Sequence, residues 1–223
     1  MMGLLGSGLL LTGQIFVVTL IGALPLGVLI ALGRMSKFKP LAWLMRIYIS
    51  FMRGTPLMLQ LMAIMFGPYY ISVALTGIGV LPEPIKLDPS WKFWACDIGF
   101  ILNYAAYFAE IYRSGIQSIP QGQYEAATVL GYSKSQTFMK IVLPQVIKRI
   151  LPAAGNEIIT LVKDTSLAFV LGIMEMFTRA KAIAASEVSL LPYIIAAGIY
   201  WGFTIMVEII LSRIEKRLEY YHD

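Results

Sequence analysis

Residues 125–144 read EAATVLGYSKSQTFMKIVLP, and this stretch decides how the rest of the chain is organised. It is polar and lies between long apolar segments. It contains no apolar run of the roughly 20 residues that a helix needs to cross a bilayer. A regular polar loop between membrane spans is typical of a surface that another protein binds.

Local signals predict a first short helix in this region. Pro120 suits the first turn of a helix, and good helix formers fill residues 121–130. Gly131 follows as a left-handed stop, the usual end of such a helix. The helix is therefore expected to be about ten residues long, or roughly 15 Å.

A second short helix is predicted directly after the first. Ser133 and Gln136 match a capping box, in which each side chain satisfies a backbone amide of the other residue. The helix is expected over residues 134–142. We expect it to stop before Pro144, because proline disfavours the helical conformation at the residue before it. Residues 120–144 are called the EAA segment below, after their Glu-Ala-Ala sequence.

The composition places the chain in a membrane. Hydrophobic residues make up 58% of its 223 residues, and the mean hydropathy is +0.73. Soluble domains are only about 45–50% apolar. The first 33 residues form an uncharged apolar run too long for a cleaved signal sequence, so we interpret it as a retained span.

Cys96 has no second cysteine to pair with, and His222 has no ligand residues around it. We predict no metal site and no nucleic-acid partner.

Five apolar segments predict five membrane-spanning helices in a single all-α permease-like domain, residues 1–223. The second segment is broken near residues 54–56. The loops after the first and third segments and the C-terminal tail are basic, whereas the other two loops are balanced. The positive-inside bias then places the N-terminus outside, and the C-terminus and the EAA segment in the cytoplasm. The segments cover approximately residues 9–33, 41–75, 93–112, 150–173 and 190–211.

The EAA segment carries a spacing that resembles a known motif. It resembles the EAA loop of ABC-importer permeases, which docks on the ATPase subunit. The resemblance implies that Glu125, Ala126, Ala127 and Gly131 couple this chain to an ATPase. The positions that match are Glu125, Ala126, Ala127, Gly131, Ile141, Leu143 and Pro144.

The chain has no GxxxxGK[ST] phosphate-binding loop of its own. An importer built on it therefore needs a separate ATPase that binds ATP and magnesium, and we predict neither a cofactor nor enzymatic activity for this chain. The residue types suit docking as well. Ala126 and Ala127 are small enough for a partner to approach the backbone, and Glu125 can reach a basic group on the partner.

Polar side chains concentrate in the fourth apolar segment, where ionisable groups are costly and mark functional sites. Glu157, Thr160 and Asp164 stand at i, i+3 and i+7, so they share one face of a helix. Lys163 is expected to border that face. Two interpretations are open, a lining of a substrate path or a lysine–carboxylate pair that only joins helices. The full set is Asn156, Glu157, Thr160, Lys163, Asp164, Thr165 and Ser166.

Three further motifs narrow the resemblance to one branch of these permeases. Residues 163–167 resemble the KDTSL motif of polar-amino-acid permeases, and residues 53–56 resemble their RGTP motif. Residues 105–120 resemble the sequence that precedes their EAA loop. Members of this branch move histidine, arginine, lysine, glutamine or glutamate, which implies a substrate of that class.

The Arg-Gly-Thr-Pro sequence at residues 53–56 also predicts a helix break inside the membrane. Thr55 suits an N-cap, and Pro56 suits the first position of the helix that follows. Transporters use such half-helix starts to hold substrate carboxylates. We expect Thr55, Met58 and Leu61 to line the path.

The third apolar segment carries polar residues on one face, namely Asn103, Tyr107 and Glu110. Glu110 and Arg113 are three residues apart, and we expect an ion pair that closes the inner side or joins helices. Arg53 has two possible roles, either to add positive potential to the path or to anchor in lipid headgroups.

Together these features predict the membrane subunit of an ATP-driven importer of polar, and specifically basic, amino acids. We hypothesise that Glu157 faces the basic group of the substrate and that the helix start at 55–56 faces its carboxylate. Five spans are too few to enclose a path, so a second permease copy or a paralogue is expected, with a homodimer favoured. An extracellular or periplasmic solute-binding protein would deliver substrate. The expected location is the bacterial cytoplasmic membrane.

Two other functions fit the sequence less well. Glu157, Lys163 and Asp164 would suit a secondary transporter driven by an ion gradient, but the sequence has no inverted repeat, and such a protein needs no docking loop. A membrane-embedded enzyme would need a motif such as HExxH or GxSxG, which the sequence lacks.

Overall fold

The computed structural model describes residues 2–218, and over that range it consists of helices, turns and loops without strands. His222 lies outside the described residues. A π-helical turn at Phe138–Val142 joins α6 to α7, and a 3₁₀ helix at Thr165–Leu171 follows α7. The α-helices are α1 (Met2–Arg34), α2 (Lys39–Gly54), α3 (Leu57–Gly77), α4 (Trp91–Gln117), α5 (Gln121–Val129), α6 (Lys134–Thr137), α7 (Leu143–Asp164), α8 (Met176–Glu187) and α9 (Leu191–Leu218).

Three of these helices, α1, α3 and α9, are long and apolar enough to cross a membrane. Helix α4 occupies the centre of the bundle, where it packs against α1, α2, α3 and α7. Its large side chains Phe100, Tyr104 and Phe108 are buried in the main hydrophobic core. Because four helices pack against α4, its polar residues Asn103 and Tyr104 are buried in protein, which lowers the cost of placing them there.

Helices α1 and α4 approach each other closely because small residues meet at their contact. A Cβ atom on Gly27 would lie 2.9 Å from Phe108 Cβ and 3.2 Å from the carbonyl oxygen of Ala105. Ala105 and Ala109 are fully buried there. Small residues let membrane helices approach until their backbones touch, which increases the dispersion contact between them.

Helix α8 lies where the sequence pattern predicts only a loop between the fourth and fifth spans. Glu175 begins it as a buried N-cap, whose carboxylate accepts hydrogen bonds from the amides of Phe177 and Thr178, both at 2.7 Å. The Tyr200 hydroxyl on α9 donates to the same carboxylate at 2.9 Å. These bonds satisfy a carboxylate that would be costly to bury alone, and they join α8 to α9.

The predicted fourth span, residues 150–173, is wrong as a single helix. Helix α7 ends at Asp164, and the chain continues as the 3₁₀ helix to Leu171. Gly172 then adopts a left-handed conformation with φ of +67°. Glycine takes this conformation without a steric penalty, so the chain turns there before α8.

The prediction that the second helix of the EAA segment stops before Pro144 is also wrong. The helix continues through the π-helical turn into α7, and Pro144 is the second residue of α7. In this turn the Leu143 amide donates to the carbonyl of Phe138, five residues earlier. The extra residue changes the hydrogen-bond register just before the proline, which has no amide proton and whose ring would otherwise press on a carbonyl of the preceding turn.

Candidate functional site

A cavity of about 440 Å³, here called the central cavity, lies between the α2–α3 break, α4 and α7. Helix α7 contributes Glu157, Thr160 and Asp164, so the structure brings together the three residues whose spacing predicts a shared face. The Tyr104 hydroxyl on α4 donates to Asp164 Oδ2 at 2.8 Å and holds that carboxylate against the wall. The lining residues are Thr55, Pro56, Leu57, Asn103, Tyr104, Tyr107, Glu157, Thr160, Asp164 and Leu167.

The helix break forms the wall of the central cavity opposite α7. Helix α2 ends at Gly54, and Thr55 and Pro56 are extended, with ψ of 147° and 130°. The predicted N-cap role of Thr55 is wrong, because Pro56 occupies the cap position of α3. The Thr55 hydroxyl instead donates to the carbonyl of Phe51 at 2.8 Å and closes the end of α2.

Two buried amide side chains hold the break, and neither is among the residues that the sequence places at the path. Gln60 is 5% exposed and Asn103 is 4% exposed. Gln60 Nε2 donates to the Met52 carbonyl at 2.9 Å and to the Thr55 hydroxyl at 2.8 Å. Asn103 Nδ2 donates to the same Met52 carbonyl and to Gln60 Oε1, both at 3.0 Å. An amide in an otherwise apolar stretch, four residues after a helix-breaking proline, is the signal that points to Gln60.

A second cavity of about 470 Å³, here called the loop-side cavity, adjoins the central one and shares Tyr107 and Glu157 with it. The Arg53 guanidinium lies 5.2 Å from the centre of the Tyr107 ring, a cation–π contact that places Arg53 at this second cavity and not in the central one. The predicted ion pair is present, because Arg113 donates to both carboxylate oxygens of Glu110. Glu110 also lines the loop-side cavity.

The EAA segment begins with α5 and a Schellman turn. The amide of Gly131 donates to the Thr128 carbonyl and the amide of Tyr132 donates to the Ala127 carbonyl, both at 3.0 Å. Gly131 has φ of +77°, the conformation that this turn requires. The glycine stop predicted from the sequence is therefore confirmed.

The predicted capping box begins the second helix of the segment. The Gln136 amide donates to Ser133 Oγ at 3.3 Å, and the Ser133 amide donates to Gln136 Oε1 at 2.9 Å. Both contacts join residues three apart in the chain. The start of α6 is therefore fixed by the sequence around it.

The outer surface of the EAA segment combines an acidic group with apolar side chains. Val129 is 87% exposed and Leu130 is 73% exposed, and Glu125 and Ala126 are exposed beside them. Ala127 is buried, so Ala126 alone leaves room for an approaching partner. Neighbouring exposed apolar residues of this kind suit a contact with another protein.

Residues 23–220 match the family described as binding-protein-dependent transport system inner membrane component. The chain belongs to this family. It is 36% identical to the L-cystine transport system permease protein TcyB of Bacillus subtilis over 220 residues, 98% of this chain and 88% of TcyB. It is 38% identical to the arginine transport system permease protein ArtQ of the same organism over 214 residues, 96% of this chain and 91% of ArtQ.

A solved structure of an amino acid ABC transporter with histidines is similar throughout. It superimposes with a TM-score of 0.81 at 34% identity and covers 97% of this chain and 94% of that chain. The resemblance to ABC-importer permeases that the EAA, KDTSL and RGTP motifs indicate is thus confirmed. The described residues form an all-helical membrane permease fold of the binding-protein-dependent transport family.

Two residues that the sequence places at the path of this permease lie elsewhere on α3. Leu61 is fully buried and contacts α4, where a Cβ atom on Gly99 would lie 2.6 Å from Leu61 Cδ2. Met58 is partly buried but does not line the central cavity. Leu57 lines it instead, because α3 begins one residue later than the predicted cap requires.

Three predicted residues of α7 and of the 3₁₀ helix that follows it also lie outside the central cavity. Asn156 and Lys163 are exposed, and neither lines the central cavity. Lys163 lines a separate cavity with Ser166 and Tyr200. Thr165 is fully buried and donates to the carbonyl of Val162 at 2.7 Å, because the chain turns into the 3₁₀ helix after Asp164.

Proposed function

We propose that this chain is the transmembrane subunit of an ATP-driven importer of polar amino acids, with a preference for basic ones. The observation that carries the proposal is the central cavity, in which two carboxylates of α7 face a helix break. The same chain presents an exposed EAA segment. The permeases TcyB and ArtQ, which are described as transporting cystine and arginine, support an amino acid as substrate.

The charge of the central cavity supports the basic preference. Its lining includes Glu157 and Asp164 and, among the described residues, no lysine or arginine. A cationic side chain would therefore gain electrostatic attraction there. On the opposite wall, the first amides of α3 have no acceptor within their own helix, and Leu57 of that turn lines the cavity. The proposed pose directs the carboxylate of the substrate toward this helix start and its basic group toward Glu157.

The partners follow from the family and from the exposed EAA segment. A separate ATPase, which holds ATP and magnesium, docks on the surface formed by Glu125, Ala126, Val129 and Leu130, and Gly131 shapes that surface. A solute-binding protein delivers the amino acid from outside. A second permease subunit completes the path. We favour a second copy of this chain over a paralogue, because one chain already carries both a full EAA segment and a full cavity. Closure of the ATPase dimer then moves the two segments and changes which side of the membrane the path faces.

The proposed arrangement has five spans within one domain, residues 1–223. Helices α1, α3 and α9 span by length and composition, and we add α4 and α7 because their charged residues lie among neighbouring helices or at cavities. The basic loops put the N-terminus outside and the EAA segment in the cytoplasm. The relatives are bacterial and the family is described as an inner membrane component, which supports the cytoplasmic membrane of a bacterium.

Replacement of Glu157 by glutamine tests the substrate assignment. In proteoliposomes that hold the permease, its ATPase and its binding protein, we expect Glu157→Gln to lower ATP-driven arginine uptake about tenfold, the value of one charged hydrogen bond. Glutamine uptake should change by less than twofold. The control is Asn156→Ala, on the adjacent exposed position of α7.

The outcomes separate the parts of the proposal. An unchanged arginine uptake, or an equal loss for arginine and glutamine, would remove the assignment of Glu157 to the basic group. Uptake that persists without ATP and follows an ion gradient would replace the importer by a secondary transporter.

A further inference from the structure

We propose that Asn103 presents its side-chain carbonyl oxygen to the central cavity as an acceptor for the α-ammonium group of the substrate. We further propose that Gln60 is the positioning residue that sets this orientation. The inference rests on the proposed function, because it names a contact for the amino acid in the same cavity. It follows from the direction of a chain of hydrogen bonds, each of which can run only one way.

The direction is fixed first at Thr55. Its hydroxyl donates its single proton to the Phe51 carbonyl at 2.8 Å, so Thr55 Oγ1 can only accept from Gln60, 2.8 Å away. The same end of the Gln60 amide faces the backbone carbonyls of Met52 at 2.9 Å and Thr55 at 3.1 Å. Carbonyl oxygens cannot donate, so this end of Gln60 must be the NH₂ group.

Gln60 in turn fixes the amide of Asn103. With its NH₂ group against the α2–α3 break, Gln60 turns Oε1 toward α4, where it accepts from Asn103 Nδ2 at 3.0 Å. The second proton of Asn103 Nδ2 goes to the Met52 carbonyl at 3.0 Å. A flipped Asn103 would place its oxygen against two acceptors in a buried site, at the cost of two hydrogen bonds and added repulsion.

The oxygen of Asn103 is therefore left facing the central cavity. Asn103 lines that cavity, and Oδ1 accepts no hydrogen bond from residues 2–218. In that range, Thr19 Oγ1 is the only fully buried side-chain nitrogen or oxygen atom without a hydrogen-bond partner. Asn103 Oδ1, which has no partner either, is therefore not fully buried. Asn103 thus offers a neutral acceptor of fixed direction at a wall that is otherwise formed by the start of α3.

The position of this acceptor selects the α-ammonium group. Asn103 bonds to Met52 and Gln60, which flank the break on either side, so its oxygen lies beside the helix start that faces the carboxylate in the proposed pose. The ammonium and carboxylate groups of an amino acid share one carbon atom, whereas the basic group lies several bonds away near Glu157. An ammonium has three protons to donate, and Asn103 supplies an acceptor that adds no net charge.

The test compares a substrate with its analogue that lacks only the α-amino group. Equilibrium binding to the purified permease–ATPase complex is measured without the binding protein, for L-arginine and for 5-guanidinopentanoate. If uptake assigns a neutral substrate, the pair is L-glutamine and 4-carbamoylbutanoate. We expect the wild-type complex to prefer the amino acid at least tenfold, since a charged hydrogen bond is worth about that factor.

Three variants separate a substrate contact from a merely structural role. Asn103→Leu should reduce the preference to less than about threefold, because no acceptor remains. Asn103→Asp should retain the preference, because one carboxyl oxygen still faces the cavity, although the other then faces the Met52 and Gln60 oxygens and lowers the stability of the protein. Gln60→Met should give an intermediate preference, since Met52 still holds one proton of Asn103. Thermal unfolding and retention of the ATPase are measured on each variant.

Each result has a defined meaning. Equal binding of amino acid and analogue by the wild type, or equal loss in Asn103→Leu and Asn103→Asp, overturns the assignment of Asn103 while leaving the importer intact. If Asn103→Leu does not fold, the comparison of wild type, Asn103→Asp and Gln60→Met decides by the same criterion. A wild-type complex that neither binds nor takes up arginine or glutamine overturns the proposed function, and this inference with it.

Discussion

The EAA segment and the central cavity differ in how far along the chain their contacts reach. The turn and the cap of the EAA segment are closed by hydrogen bonds between residues three to five apart. In the cavity, Asn103 bonds to Gln60 across 43 residues, and Tyr104 bonds to Asp164 across 60. The segment keeps its form through local bonds, whereas the cavity exists only when four helices are assembled. Substitutions at the helix contacts around the cavity should therefore affect several helices, whereas substitutions in the EAA segment should affect that segment alone.

The largest effect is expected where the assembly of helices is disturbed directly. Gly27→Ala places a Cβ atom 2.9 Å from Phe108 Cβ and 3.2 Å from a backbone carbonyl, and overpacking of this kind costs about 1–3 kcal/mol. We expect a lower thermal unfolding midpoint in detergent and weaker binding of substrate in the cavity.

Gly13→Ala is the matched control for this prediction. It lies on the same helix, and an added Cβ atom there has nothing within 4 Å. Equal unfolding midpoints for the two variants would show that the α1–α4 contact does not determine the assembly. The distinction between an assembled cavity and a local loop would then lose its basis.

A smaller and strictly local effect is expected at the turn of the EAA segment. Gly131 has φ of +77°, and a residue with a side chain pays about 1–2 kcal/mol for that conformation. Gly131→Ala should increase hydrogen exchange of the α5 amides and weaken binding of the ATPase, while leaving substrate binding unchanged.

Gly122→Ala provides a control of opposite sign. Gly122 is the second residue of α5 and has open space around it, and alanine is favoured over glycine in a helix, by at most roughly 0.5–1 kcal/mol. Exchange in α5 should therefore slow down. A change in substrate binding with either variant would show that the two regions are not separable at equilibrium.

The smallest effect is expected at the cap of α6. Ser133→Ala removes the acceptor for the Gln136 amide and should cost about 1 kcal/mol. Faster hydrogen exchange of that amide is the measurement, with Ser135→Ala, two residues further along in α6, as the control. If exchange accelerates beyond α6 into α7, the cap also supports the longer helix.

The same difference between local and long-range contacts explains which features could be predicted from the sequence. The stop at Gly131 and the capping box at Ser133 depend on a few neighbouring residues, and both are present as predicted. The spacing of Glu157, Thr160 and Asp164 gives their shared face because helical periodicity is also local. The position of the break at residues 54–56 follows from a proline, which acts on its own neighbours.

The remaining features depend on partners that are distant in the chain. Leu61 has the residue type of a cavity wall, but Gly99 on α4 leaves a space that Leu61 fills. Gln60 and Asn103 gain their roles from each other, and no periodicity within one helix links them. Glu175 resembles a loop charge until Tyr200 of α9 is placed beside it. In each case the deciding contact joins two helices, so one segment alone could not reveal it.

The π-helical turn at Phe138–Val142 has a mechanical consequence. It makes α6 and α7 one uninterrupted rod from Lys134 to Asp164, with no loop in which motion could be lost. The part from Leu143 to Asp164 alone has 22 residues, or about 33 Å at 1.5 Å per residue. A displacement of α6 along the helix axis would therefore move the far end of α7, which carries Glu157, Thr160 and Asp164. The π-helical turn and Pro152 are the two points along these helices where the regular α-helical hydrogen bonding is interrupted.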